Sequence, residues 1–317
     1  MHLKVKIGNR FYLNAEGGCS ARFHMQSYAQ YLEYFLPKGG FTYEIISDGK
    51  SDITIWDNVF SEYTQEMMKN DEVNVLVCVE NADYWKSNNS WYYRHYDRSA
   101  NITMFDICIY NHIPKLTIQP NGCLETPMLH RYITYYCSHK EDHAVKTPVP
   151  FVAKKFCISI NRSGMNPEID NTRKLLGEIG QVDDISLYND ILNTSCYHSC
   201  ELIDVLNKYK FVICFENSYS DGYLTEKIFN CFLAGVIPIY KGCPDITNYI
   251  QPSCFVDARR KECLLDTIRM LSMDEVAYSQ RVNDVKISET YSDEEHGKII
   301  TEQIMRKLTK MEMRKTE

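Results

Sequence analysis

The stretch from Phe211 to Gly242 constrains the fold more than any other part of the sequence. It reads FVICFENSYSDGYLTEKIFNCFLAGVIPIYKG. Its first five residues are a short, apolar and partly β-branched run, which is typical of a fully buried parallel strand. A polar loop follows, then apolar residues at helical spacing, and then a second apolar run. The stretch therefore predicts a strand, a loop, a helix and a strand, as in proteins built on a parallel α/β sheet.

Polar side chains come directly after the first of these strands. Glu216 and Asn217 stand where open α/β sheets bind their ligands, at the carboxyl end of a strand. Thr225, Glu226 and Lys227 fall at the predicted start of the helix, where free backbone N–H groups and the helix dipole favour an anion. A lysine there opposes the dipole, which is explained if it faces a phosphate. The alternative is an ordinary capped, amphipathic helix with solvated charges.

These motifs together resemble the signature of the α1,3-fucosyltransferases, glycosyltransferase family ten. In that family a Phe-Glu-Asn strand end, an aromatic-x-Thr-Glu-Lys helix start and an Ala-Gly-x-x-Pro strand occur together. Here FENSYSDGYLTEK is followed by AGVIPIYKG, so the three pieces match in order and spacing. The resemblance implies the α/β arrangement called GT-B, in which two doubly wound, Rossmann-like domains face each other across a cleft and a C-terminal helix returns to the first domain.

The resemblance also implies a donor site for GDP-fucose in the second half of the chain. Its expected residues are Arg173, Asn217, Tyr223, Glu226 and Lys227. Arg173, expected in the first turn of a helix capped near Asp170, corresponds to a family arginine that contacts the diphosphate, as Lys227 would. Glu226 is expected to hold the ribose hydroxyls, while Asn217 and Tyr223 shape the pocket. Without the resemblance Arg173 would be taken for a surface residue.

The acceptor side is expected in the first half of the chain. Glu80 follows a strong predicted strand that begins at Val73, and a Phe-Asp-x-x-Ile motif follows at Phe105. In the resembled family a glutamate at this place is the proposed catalytic base, the alternative being a surface glutamate. The polar, aromatic segment after it suits sugar binding. Its candidate acceptor residues are Trp85, Trp91, Tyr92, Tyr93 and Arg94, although a packed aromatic flap is an equal alternative.

The length of 317 residues predicts two domains. Strands and helices alternate in both halves, and the proline-containing segment at 147–150 has the character of a linker. We therefore expect an acceptor-side α/β domain over 1–147 and a GDP-sugar-binding α/β domain over 155–290. A charged, amphipathic helix is expected over 291–317.

Composition narrows the class of protein and its surroundings. The net charge of −7 argues against general binding to nucleic acids or anionic membranes. No apolar run is long enough for a transmembrane helix, and the N-terminal residues lack the apolar core of a signal peptide. The 13 cysteines, an odd number, suggest free thiols in a reducing compartment. We expect a soluble, cytoplasmic protein, or a Golgi lumenal one if an anchor was removed.

The chain contains no Asp-x-Asp triplet of the kind that holds a cation against a diphosphate. We therefore expect no metal and no cofactor, with GDP-fucose as a substrate. The hypothesis is an inverting α1,3-fucosyltransferase that acts on an oligosaccharide or glycoconjugate, at O3 of an N-acetylglucosamine or glucose unit. Two alternatives stay open: a GT-B glycosyltransferase with another nucleotide sugar, and a non-catalytic protein that binds nucleotide sugars or glycans.

Overall fold

The computed structural model shows an α/β fold with two parallel sheets, in the part of the chain that it describes. That part comprises residues 1–7, 35–57, 71–77, 105–110, 123–125, 129–161, 167–186, 200–217 and 219–316. It divides into two compact units. The first unit takes in the described residues up to Thr134 and also Ser292–Glu317, and the second unit is Tyr135–Tyr291.

The sheet of the first unit has six strands, all parallel, in the spatial order β2-β1-β3-β4-β5-β6. The strands are β1 (His2–Ile7), β2 (Thr42–Ile46), β3 (Ile53–Asp57), β4 (Val73–Val77), β5 (Ile107–Tyr110) and β6 (Cys123–Glu125). Alternate apolar residues of β1, β3, β4 and β5 point into one core, as the period of two along a strand requires.

The last helix of the chain closes this core. It spans Glu294–Thr316 and places Ile300, Ile304 and Leu308, which are spaced four residues apart on one stripe, among the buried strand residues. Gly297, one turn before Ile300, lies so close to the Phe35 ring that a Cβ would come within 2.2 Å of Cδ1.

The sheet of the second unit has five parallel strands in the order β11-β10-β9-β7-β8. They are β7 (Lys155–Asn161), β8 (Val182–Ser186), β9 (Tyr209–Phe215), β10 (Ile237–Lys241) and β11 (Val256–Asp257). The order reverses between β7 and β9, because the chain moves from β7 outward to β8 and then returns to the other side of β7. Open sheets of this kind bind ligands at the carboxyl ends of the strands, at such a switch point.

Helices cover both faces of the second sheet. Among the residues that the structure describes, the α-helices are α1 (Leu129–His143), α2 (Pro167–Leu176), α3 (Cys200–Leu206), α4 (Glu226–Leu233), α5 (Lys261–Met273), α6 (Glu275–Asn283) and α7 (Glu294–Thr316). Phe211 and Ile213 of β9 pack with apolar residues of α2, α5 and α6. Cys214, which points the other way, meets Cys231 of α4, so α4 lies on the opposite face.

The stretch from Phe211 to Gly242 folds as predicted, into strand β9, a loop, helix α4 and strand β10. Gly235 has a φ of +63° and comes directly after the C-cap residue Ala234, at the position past a helix end where glycine is preferred. The helical spacing of Leu202, Val205, Leu206 and Tyr209 predicts a helix that includes Tyr209, but that prediction is wrong for the last residue. Helix α3 ends at Leu206, and Tyr209 begins β9, where it pairs with Lys155.

The division between the units also differs from the predicted domain limits. It falls between Thr134 and Tyr135, within α1, whereas the sequence placed it after residue 147. The reason is that Tyr136 packs against Phe229 and Phe232 of α4. The predicted linker is likewise held to the second unit, where the Asn207 side chain bonds the backbone of residues 147 and 149.

Among the helices that the structure describes, none combines the length and apolar character that crossing a membrane requires.

Candidate active site

The candidate site lies at the carboxyl ends of β9 and β10, where helix α4 begins. Glu216 directly follows β9, and its N–H donates to the Lys241 carbonyl at the end of β10 over 2.8 Å. Thr225 is the N-cap of α4, and Glu226 is its first residue. The two strand ends and the helix start therefore meet at one edge of the sheet, as predicted.

The Glu216 carboxylate is the buried centre of this edge, with a side-chain exposure of 0%. The Thr225 N–H donates to Oε1 over 2.8 Å, and the Thr225 hydroxyl donates to Oε2 over 2.7 Å. Thr225 therefore does not use its own oxygen as a helix cap. Glu216 instead brings a negative charge from the strand to the amino end of α4, where the helix dipole favours it.

Lys227 is held between the side chains of the two residues that follow β9. Its ammonium lies 3.0 Å from Asn217 Oδ1 and 3.2 Å from Glu216 Oε2. Burial raises the pKa of Glu216, while the neighbouring charge of Lys227 acts in the opposite direction. A lysine in a first helical turn is unfavourable on its own, and here the buried carboxylate offsets that cost.

The loop between β9 and α4 is anchored to the turn after β10. Asp245 Oδ1 accepts the N–H of Gly222 over 2.9 Å, at a residue whose φ of +68° suits glycine. Asp245 Oδ2 accepts from the Tyr249 hydroxyl over 2.8 Å. Although burial alone would raise it, hydrogen bonds from Cys243, Gly222 and Tyr249 hold the pKa of Asp245 below its ordinary value.

Tyr223 and Glu226, both predicted donor-site residues, are almost fully buried, at 1% and 7% exposure. Tyr223 lies just before α4, and Glu226 and Lys227 are the first two residues of that helix. The structure thus brings four of the five predicted donor residues to one place: Asn217, Tyr223, Glu226 and Lys227.

Two further cations lie at the same edge of the sheet, and each is paired with a carboxylate. Lys241, at the end of β10, forms an ion pair with Glu168 in the first turn of α2. Arg259, after β11, donates from Nε and Nη2 to the two oxygens of Asp257 over 2.7 Å each. A ligand anion at this edge would therefore meet cations whose positions are already fixed.

Arg173 does not lie in the first turn of its helix, so that prediction is wrong. Helix α2 begins at Pro167 and not near Asp170, which places Arg173 in the last turn. Its Nη1 lies 2.8 Å from Asp184 on β8 and 3.4 Å from Asp170. The partners of Arg173 therefore lie on α2 and β8, whereas Lys227 contacts Glu216 and Asn217, which follow β9.

The predicted acceptor-side residues fall outside the part of the chain that the structure describes. These are Glu80, the proposed base, and Trp85, Trp91, Tyr92, Tyr93 and Arg94. Their roles stay predictions.

The sequence placed Glu216 at a strand end where ligands bind but gave it no role among the site residues, and it gave no role to Lys241 or Arg259. All three follow or end a strand of the second sheet, and that position was the available signal. The sequence could not tell that the Glu216 side chain turns inward.

Within the described ranges, no group of three or more His, Cys, Asp and Glu side chains could hold a metal ion. The arrangement that is present, a helix start and a lysine fixed beside a strand end, is suited to binding an anion such as a diphosphate.

Comparison with known proteins relates the second half of the chain to one family. The family model "Glycosyltransferase family 10 (fucosyltransferase) C-term" matches residues 153–312, which is just over half of the 317-residue chain. The matched region contains α4 and all five strands of the second sheet.

Two curated relatives and one solved structure show how far the likeness extends. The α-(1,3)-fucosyltransferase FucT of Helicobacter pylori is 29% identical over 116 residues, which cover 36% of this chain and 24% of that protein. The human GDP-fucose protein O-fucosyltransferase 3 is 41% identical over 46 residues, covering 14% of this chain and 10% of that protein. The matches thus span about a quarter or less of these relatives.

The solved structure is a crystal structure of an α1,3-fucosyltransferase with GDP-fucose. It superimposes on this protein with a TM-score of 0.56 and 16% sequence identity, covering 98% of this chain and 90% of that chain. At this identity the likeness supports the fold alone. The family model, which matches the half of the chain that carries the candidate site, shows that the protein belongs to glycosyltransferase family 10, the fucosyltransferase family.

Proposed function

We propose that this protein is an inverting α1,3-fucosyltransferase that moves L-fucose from GDP-fucose to a hydroxyl of a glycan. The expected acceptor atom is O3 of an N-acetylglucosamine or glucose unit. The observation that carries the proposal is the placement of Lys227, whose ammonium is held by Glu216 and Asn217 at the start of α4, within the region that matches the family model.

The donor half of the reaction is assigned to the residues around α4. In the proposed reaction the leaving GDP gains negative charge as the sugar bond breaks, and Lys227 and the amino end of α4 stabilise that charge. Glu226 holds the ribose hydroxyls, while Asn217 and Tyr223 shape the pocket. Loss of one such charged donor lowers the rate by roughly a hundredfold in comparable sites, so Lys227→Met should lower turnover by about that factor.

The acceptor half of the reaction is assigned to Glu80. The proposed base removes the proton of the acceptor hydroxyl as that oxygen attacks the anomeric carbon from the face opposite the diphosphate. The transition state is oxocarbenium-like, and the configuration at this carbon inverts. We propose the GT-B arrangement for the two units, as the resemblance implies. Glu80→Gln should abolish transfer and leave GDP binding almost unchanged, and near-normal turnover of this variant would refute the assignment.

Arg173 remains a proposed diphosphate ligand on the strength of the resemblance. Its observed partners are Asp184 and Asp170, so it would have to exchange them for phosphate. Arg173→Met should weaken GDP binding if the proposal holds. The matched control is Lys174→Met, which removes the exposed charge next to it. If both substitutions change GDP affinity equally and only slightly, Arg173 is not a residue of the donor site.

We also propose that the reaction needs no metal ion, because protein cations and the helix start would neutralise the leaving group. Turnover should be unchanged by a chelator such as EDTA. A loss of turnover that Mn²⁺ or Mg²⁺ restores would contradict this.

The deciding experiment measures GDP release from GDP-fucose in the presence of lactosamine, lactose or chitobiose, followed by linkage analysis of the product. Nucleotide titrations accompany it. Tight binding of UDP without binding of GDP would indicate another nucleotide sugar. Donor binding without GDP release under any acceptor would indicate a non-catalytic binding protein. A folded protein acceptor belongs in the panel, because the human relative is named as a protein O-fucosyltransferase.

A further inference from the structure

We propose that Glu216 is a positioning residue of the donor site: its carboxylate fixes the Lys227 ammonium beside Asn217 and fixes the first turn of α4. The inference rests on the proposed function, because that function gives Lys227 its role. Glu216 itself is not proposed to touch the donor.

The Glu216 carboxylate contacts both the N-cap residue of α4 and Lys227 in its first turn. One oxygen accepts the Thr225 N–H, and the other accepts the Thr225 hydroxyl and also lies 3.2 Å from the Lys227 ammonium. A shift of this carboxylate would therefore move the N-cap residue and the lysine together. The Glu216 backbone is tied in turn to Lys241 of the next strand, which makes the carboxylate a rigid reference point.

The end of β10 is shaped to receive this side chain. At Gly242 a Cβ would lie 2.4 Å from Cγ of Glu216 and 2.6 Å from the hydroxyl oxygen of Tyr240. Only glycine leaves this space free. The Tyr240 hydroxyl is fixed on its other side, since it accepts the N–H of Cys243 over 3.0 Å. We therefore count the space beside Gly242, which the Glu216 side chain occupies, as part of the site.

The negative charge of Glu216 matters more than its shape. A glutamine could still accept the Thr225 N–H, but its amide NH₂ would face the Lys227 ammonium, donor against donor. Of the two contacts of the Lys227 ammonium described here, the one with Glu216 would be lost and the one with Asn217 Oδ1 would remain. Glu216→Gln should consequently keep α4 capped and release Lys227 alone, which separates positioning from folding.

The charged and titratable groups that face Glu216 come from three elements. They are Lys227 and Glu226 of α4, Tyr240 of β10 and Cys214 of β9. Because burial raises the pKa of Glu216 above its ordinary value of 4.5, acidification should protonate this carboxylate and loosen Lys227 while the protein is still folded.

A double-mutant cycle tests the inference. GDP affinity is measured by calorimetry, and kcat/KM for GDP-fucose by GDP release, in wild type, Glu216→Gln, Lys227→Met and the double variant. We expect Glu216→Gln to weaken GDP binding by about tenfold, as for loss of one charge-assisted contact. The double variant should bind no more weakly than Lys227→Met alone, because Glu216 acts through Lys227. Additive losses, or a Glu216→Gln variant equal to wild type, would overturn the inference.

The control is Glu262→Gln, which removes an exposed carboxylate from the first turn of α5 in the same unit. It should leave GDP affinity unchanged. A wild-type protein that binds no GDP would refute the proposed function and this inference with it. If the wild type binds GDP but the losses of GDP affinity in Glu216→Gln and Lys227→Met add up in the double variant, the inference is refuted and the proposed function is not.

A second measurement decides the matter if Glu216→Gln does not fold. The GDP affinities of wild type and Lys227→Met are measured from neutral pH down to the pH at which the folded protein begins to unfold. Their ratio is used because the titration of the nucleotide affects both variants equally and cancels. The ratio should fall toward one as Glu216 is protonated and Lys227 loses its position. A ratio that stays constant over this range would overturn the inference.

Discussion

The positions of Lys227 and Glu216 are each unfavourable alone, and the ion pair between the two side chains accounts for both. A lysine in a first helical turn works against the helix dipole, and a carboxylate with 0% side-chain exposure is costly unless it is paired and hydrogen-bonded. Placed 3.2 Å apart, each reduces the energetic cost of the other. The sequence was sufficient to place Lys227 at a helix start beside a strand end. It was not sufficient to find its partner, because a strand-end glutamate can point to solvent or inward with the same sequence pattern.

Gly242→Ala should disturb the site without touching a charge. The added Cβ would overlap Glu216 and Tyr240, so we expect a loss of about 1–3 kcal/mol in the free energy of unfolding and weaker GDP binding. Gly180→Ala is the matched control, since its Cβ would lie 2.7 Å from the Phe156 ring in the same unit. That variant should lose similar stability and keep its GDP affinity. Equal GDP affinities in the two variants would contradict the proposed role of this glycine.

Cys157 should make the protein less stable in alkali. Its thiol, on β7, is fully buried, and burial raises its pKa above the ordinary value of 9.0. The folded state therefore keeps a proton that the unfolded chain has lost, so this stabilisation is complete below pH 9 and falls as the pH rises further. Between pH 8 and pH 10 the loss is about 1.4 kcal/mol for this thiol.

The measurement is denaturant unfolding at both pH values. Cys157→Ala should reduce the difference in unfolding free energy between pH 8 and pH 10, whereas Cys263→Ala, which removes an exposed thiol from α5, should not. The same pH dependence in wild type and Cys157→Ala would refute the assignment.

Among the helices, α2 and α4 differ in how well the sequence revealed their limits. The end of α4 was readable, since glycine is the preferred residue just past a helix end. The start of α2 was misjudged because two signals competed. Asp170-Asn171 resembled a cap, but Pro167 is favoured as a first helical residue and is where the helix begins. The four-residue error in the helix start moved Arg173 from the first turn to the last.

Gly235→Ala should weaken the end of α4 through backbone strain alone. The φ at this residue is +63°, and the nearest atom to a new Cβ is 3.9 Å away. The expected loss is roughly 1 kcal/mol. Gly40→Ala is the matched substitution in the first unit, with a φ of +79° and open space around the Cβ. Hydrogen exchange should show faster opening of α4 in the first variant only.

If Gly235→Ala and Gly40→Ala speed the opening of α4 equally, the stability of α4 does not depend on the backbone conformation at Gly235.

For the protein as a whole, alternating strand and helix patterns were enough to predict parallel α/β sheets, which is what the structure shows. The division into units was harder. It depends on which apolar faces meet after long excursions of the chain, such as Tyr136 on Phe229, and no local pattern records such a meeting. The sequence of α1 shows a helix but not that the two units divide within it.

Ile300→Ala should unfold the first unit more easily. Ile300 is completely buried among residues of β1, β3, β4 and β5, whereas Ile299, its neighbour on α7, is 42% exposed. We expect a loss of about 2–5 kcal/mol for Ile300→Ala and little change for Ile299→Ala. Hydrogen exchange should locate the loss in the first sheet and leave β9 and β10 protected. An equal loss of hydrogen-exchange protection in both sheets would show that the cores of the two units do not unfold independently.

Helix α7 also sets an order of events during protein synthesis. When residue 291 has left the ribosome, the second unit has all of its strands and helices. The first unit is still without the helix that covers its core, although its own strands were made earlier. The half of the chain that is translated first should therefore reach its native state last. Until then its apolar sheet would be exposed, and we expect nascent chains to need a chaperone at that stage.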